Sequence, residues 1–158
     1  MTRTLSAAAR ASINAENTSE VWLAMVKLSH DDWAQDIRLV NNTEDVTHDG
    51  EVYEAFPFSV RMPDETDDGT LPVVQWAAIN AKQELTEEFR STVGPIDGVV
   101  FWVLASSPDT IEIGPMELQL RSFEYDSMYL SGAMVIEPVL DAVFGADNMD
   151  TVNCPGLF

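Results

Sequence analysis

The sequence predicts a mainly β protein, a sandwich or barrel of about seven strands with one inserted helix and an N-terminal arm or helix. Three observations carry this. Short runs rich in β-branched and aromatic residues recur between turn-forming residues. Only one interior stretch, QELTEEFRSTV at residues 83 to 93, has helical periodicity, with Leu85, Phe89 and Val93 at i, i+4 and i+8. At 158 residues with 46% hydrophobic content, the chain is the size of one domain and can fill a core.

Residues 4 to 16 are Ala-rich and read as a short helix or a flexible arm, with Asn17-Thr18-Ser19 as a break. Val21 to Leu28 is a strand by composition, and Asp36 to Val40 alternates as a half-buried strand does. Asp49-Gly50 fits a tight hairpin turn leading from that strand into Glu51-Val52-Tyr53. Ala55 to Met62 is an aromatic strand that Pro57 confines to an edge or bends. Residues 63 to 70 form an exposed acidic loop, and Leu71 to Ile79 resumes the strand texture. Gly94-Pro95 ends the helix.

Val99 to Ala105 is a continuous apolar run suited to a central strand. Thr110 to Phe123 and Ser127 to Glu137 read as a long hairpin. On its first arm Met116, Leu118, Leu120 and Ser122 share a face; on its second, Leu130, Gly132, Met134 and Ile136 do. Pro138 ends the second arm. The expected organisation is an arm at 1–19, a β domain at 20–145 and an extended tail at 146–158.

Eight Lys and Arg against twenty-seven Asp and Glu give a net charge of −19. That balance opposes nucleic-acid binding, which needs clustered cations, and docking on anionic membranes. The charge keeps the protein soluble, suits a salty medium, or faces a basic partner. No apolar run approaches a membrane span, and the first twenty residues lack the apolar segment of a secretory signal. A single cysteine, Cys154, excludes an intramolecular disulfide.

Candidate chemistry is sparse. A calcium-loop register starting at Asp64 places Gln75 where a bidentate Glu belongs, and one starting at Asp45 places Phe56 there. Ser29-His30-Asp31 cannot form a triad, because adjacent side chains point apart. His30 and His48 read as surface turn histidines without metal-ligand spacing. Cys154 has no basic neighbour to stabilise a thiolate, and Glu124 and Asp126 read as carboxylates solvating a turn. No phosphate loop is present. The expectation is therefore no enzyme, no cofactor and no metal.

Interfaces are the stronger signal. Most of Trp22, Trp76, Trp102, Phe56, Phe58, Phe89 and Phe101 are expected in the core. Trp33, set in polar SHDDWAQD, reads instead as an aromatic awaiting a partner. The other contact candidates are Asp64, Glu65, Asp67 and Asp68 in the acidic loop, and Pro155, Gly156, Leu157 and Phe158 at the C-terminus. The last four either fold back on their own domain or insert into a neighbouring subunit.

Several stretches together resemble a family of tail proteins of long-tailed bacteriophages: VNNTED at 40–45, YEAFPF at 53–58, Pro63-Asp64, SPDT at 107–110 and the closing PGLF. The family is catalogued as a domain of unknown function. The resemblance spans residues 20 to 158, with residues 1 to 16 looking like an extension to it. It implies a fold related to the tail tube and a structural role at the distal end of the tail in the virion, after assembly in the host cytoplasm. The implied partners are copies of itself in a ring, six at the distal-tail position or three at the hub, with the tail tube and the hub proteins on either side. It implies no membrane insertion and no sequence-specific nucleic-acid contact. A negative lumen would let DNA slide through such a ring. The alternative is a carbohydrate- or receptor-binding module built on Trp33 and the acidic loop; a tail hydrolase is the weakest reading, for want of a catalytic constellation.

Overall fold

The computed structural model describes residues 5–62, 73–79, 89–125 and 129–136. The described chain is mainly β and barrel-like, with helix at its N-terminus and again at residues 89–91. Helix α1 spans Ala7–Asn14, so the Ala-rich start takes the helical alternative. Its N-cap is Ser6, whose Oγ accepts from the Ala9 amide at 3.0 Å.

Strands β1 (Trp22–Ser29), β2 (Ile37–Val40), β3 (Val46–His48), β4 (Glu51–Ala55), β5 (Phe58–Arg61), β6 (Val73–Ile79), β7 (Ile96–Leu104), β8 (Ser107–Tyr125) and β9 (Tyr129–Val135) form one sheet. Its order is β3-β4-β2-β1-β7-β8-β9-β6-β5. Every pairing is antiparallel except that of β2 with β4. The run at 99–105 is central, as expected, because β7 lies between β1 and β8.

The order forces the sheet to curl. β4 and β5 stand seven strand spacings apart, about 34 Å if flat. Only Phe56 and Pro57 separate them, and three residue steps reach at most about 11 Å. Both sides of this joint are bonded: the Phe56 amide donates to Val40 O at 3.0 Å and the Ile79 amide to Pro57 O at 3.1 Å. Pro57 thus bends the chain out of one end of the sheet and into the other, and β5 is an edge strand, as its sequence predicts.

The enclosed core contains Val26, Leu28, Phe56, Phe58, Trp76, Phe89, Ile96, Leu120 and Met134, contributed from both ends of the sheet. A second cluster of Leu23, Met25, Val40, Tyr53, Phe101 and Val103 packs under the β3–β4 hairpin. β1 and β7 serve both clusters, which is why their sequences are apolar at nearly every position, Lys27 and Asp97 apart.

Three expectations require correction. Asp49-Gly50 joins β4 to β3, a strand the sequence reading missed, whereas β2 runs parallel to β4. Its φ values of 50° and 83° are those of a two-residue hairpin turn. Val93 is 85% exposed, beyond the last helical residue, Ser91; Phe89 is fully buried. On β8 a register shift between Leu120 and Ser122 turns Ser122 outward and packs Phe123 against the core.

Candidate functional site

Of the residues singled out in the sequence, Trp33 is committed within its own chain. The turn at 30–33, closed by the Trp33 amide on His30 O at 3.0 Å, carries the indole back onto the core. Its Nε1 donates to Thr92 Oγ1 at 2.7 Å, and its ring meets Phe89 edge-on at 5.8 Å. Polar neighbours in sequence concealed a partner 59 residues away. Asp64, Glu65, Asp67, Asp68, Pro155, Gly156, Leu157 and Phe158 lie outside the described residues, as do Asp126 and Cys154.

His48 is not a turn histidine. It lies on β3 with its ring 4.8 Å from Phe101 and 5.9 Å from Tyr53. Because a carbonyl only accepts, His48 Nδ1 must donate to Pro108 O, at 2.6 Å. Beside it the Asp49 amide donates to Asp109 Oδ1 at 2.7 Å. Asp45 Oδ1 in turn accepts from the Ala55 amide at 2.8 Å. The stretches VNNTED, YEAFPF and SPDT therefore converge on one structure, the hairpin folded over the second cluster. Their work here is architectural.

Burial raises the pKa of the Tyr53 hydroxyl above its usual value of 10.0, partly offset by nearby Arg38. Arg38 also pairs with Asp36 at 3.3 Å and with Glu51 at 3.1 Å. A phenol held neutral in the fold stabilises it below the unfolded pKa of about 10 and ceases to as pH climbs above that. Thermal melts between about pH 9 and 11.5 should therefore show a decline in Tm. The decline should be shallower in Tyr53→Phe, and an identical slope would remove Tyr53 from the cause.

The N-terminal helix is tied down by two long-range bonds. Ser6 N donates at 2.8 Å to Oε2 of Glu112, a carboxylate only 7% exposed, and Trp22 Nε1 donates to Ser12 Oγ at 3.1 Å. A carboxylate at a helix N-terminus also complements the helix dipole.

The candidate interface is the outer face of β5, β6, β9 and β8. On β6 the outward residues are Val73, Gln75, Ala77 and Ile79, alternating with buried Val74, Trp76 and Ala78. They pair across β9 with Val135, Ala133, Ser131 and Tyr129. The apolar pair Ile79–Tyr129 marks one end, with Ile79 50% and Tyr129 54% exposed. Val73–Val135 marks the other, and small residues lie between. These form a groove of about 470 Å³ bounded by Arg61 on β5 and Glu124 on β8. Solvent-facing β positions ordinarily carry polar side chains, so an apolar and small-residue face is suited to contact with another surface. This face was missed because the alternation along SGAMV appears in sequence as a weak inner face only.

Among the described residues no group of three or more His, Cys, Asp or Glu is placed to hold a metal ion. None of the described helices is long and apolar enough to cross a membrane.

The fold and this outer face define a closed-over β domain with a candidate contact surface. Residues 8–148 match the family described as a domain of unknown function, DUF1833, and the chain belongs to that family. The match begins inside α1 and takes in most of that helix. No curated protein matches the chain.

Proposed function

We propose that this protein is a non-enzymatic structural subunit of a bacteriophage tail tip. In this reading it forms a ring with copies of itself at the distal end of the tail, between the tail tube and the hub or fibres. The observation that carries the reading is the outer face of β6 and β9, apolar at both ends and small in between, on a domain whose sequence stretches resemble tail proteins. The geometry also bears on how copies would meet. The edge strands β3 and β5 are three and four residues long, beside Asp49-Gly50 and Pro57 respectively, and short edges of this kind offer little backbone for pairing. Ring contacts therefore fall to faces and to the chain termini. The rival reading, a sugar-binding module built on Trp33, is weakened by the commitment of that indole to Thr92 and Phe89.

Immunogold labelling of virions with antibody to this chain should mark the distal end of the tail. Absence of label from particles whose other tail proteins do label would end the structural reading.

A further inference from the structure

We propose that a second copy of this chain docks face to face on the β5–β6–β9–β8 surface, Arg61 of each copy lying against Glu124 of the other. The cross-strand register places the groove's residues in two rows. One runs Ser59, Ala77, Ser131, Glu124, and the next runs Arg61, Gln75, Ala133, Ser122. Arg61 and Glu124 thus occupy diagonally opposite corners, on strands three spacings or about 14 Å apart. Such charges lie too far apart to pair within one chain. Neither has an ion-pair partner among the described residues, although acidic residues outnumber basic ones by more than three to one.

A two-fold axis lying in the face, midway between the two corners, brings each Arg61 over the other copy's Glu124 and forms two pairs at once. The same rotation lays one groove over the other, where, between the two charged corners, no outward side chain is larger than Gln75. Ile79, Tyr129, Val73 and Val135 flank it as apolar contact area. The groove is charge-balanced, so copies each carrying −19 can meet there, and the remaining charge is screened beyond about 8 Å at physiological salt. A neutral sugar is the poorer occupant: Trp76, the aromatic residue beside the groove, is 1% exposed and offers no stacking platform.

A two-fold contact closes at two copies, so any ring is built through other surfaces and this face then joins subunits of two rings back to back. The contact does not rest on the virion reading, and the two fail separately. Sedimentation equilibrium of the full chain at about 0.15 M salt should show a mass that rises with concentration to that of a dimer or a multiple of it. Arg61→Glu alone, or Glu124→Arg alone, places two like-charge pairs across the axis and should weaken the association at least about tenfold. The double variant restores opposite charges and should return to within about threefold of the parent. Because both side chains are exposed, this recovery also separates contact from misfolding. A strictly monomeric parent, association unmoved by either single reversal, or a double variant no better than the singles would overturn the proposal. So would saturable binding of neutral oligosaccharides that Gln75→Ala abolishes while the mass stays monomeric. Rings whose mass is unchanged by both reversals would overturn it too, while leaving the tail-tip reading standing.

Discussion

Replacing Phe89 by alanine is expected to lower the unfolding free energy by about 3–5 kcal/mol, the range for truncating a fully buried aromatic. The ring lies where three elements meet. Trp33 of the 30–33 turn stands edge-on at 5.8 Å, Phe123 of β8 is at 5.3 Å, and Trp76 of β6 is at 6.1 Å. Removing it leaves a cavity that none of these neighbours can fill without breaking its own contacts, including the bond from Trp33 to Thr92. Phe89→Leu keeps most of the volume and should cost about 1–2 kcal/mol. Denaturant titration gives the test: the midpoint should fall with an unchanged slope. A loss below about 1 kcal/mol for the alanine variant would mean that Phe89 does not hold the helix to the barrel.

Gly114→Ala should cost about 2–4 kcal/mol, from two causes that a second glycine separates. Gly114 has φ of +98°, a region that side chains rarely adopt. A Cβ there would also sit 2.8 Å from the Val100 carbonyl oxygen and 3.1 Å from Phe101 Cβ. The carbonyl belongs to the central strand of the sheet and cannot retreat cheaply. Gly50 has a comparable φ of +83°, yet a Cβ there meets nothing within 4 Å. Gly50→Ala should therefore cost only the backbone strain, about 1–2 kcal/mol. Equal losses at the two positions would show that crowding contributes nothing at Gly114.

Most of the fold was legible because β1, β6, β7 and the β8–β9 hairpin are long enough for composition and alternation to speak. What escaped notice depended on distant residues. β3 is three residues of ordinary polar texture, and it is a strand only because β4 pairs with it and His48 reaches Pro108. Trp33 looked unpartnered because nothing near it in sequence foretells Thr92. The candidate interface was the least legible of all. Ala77, Ser131, Ala133 and Ser122 carry no chemistry singly, and their arrangement exists only once the register of β6, β9 and β8 is set.

The pairing of β1 with β7 has a consequence for how the protein is made. Val26 pairs with Val100, so the centre of the sheet cannot form until the end of β7 has left the ribosome. Roughly 75 residues separate the end of β1 from the end of β7, about 4–15 s of synthesis at about 5–20 residues per second. During that interval only β2 can pair with β1, Leu23, Met25, Val26 and Leu28 lack the β7 side of their core, and the nascent chain presents a half-covered apolar ribbon. The acidic residues that follow it in sequence, among them Asp31, Asp32 and Asp36, are placed as flanking charges that oppose association of such a ribbon.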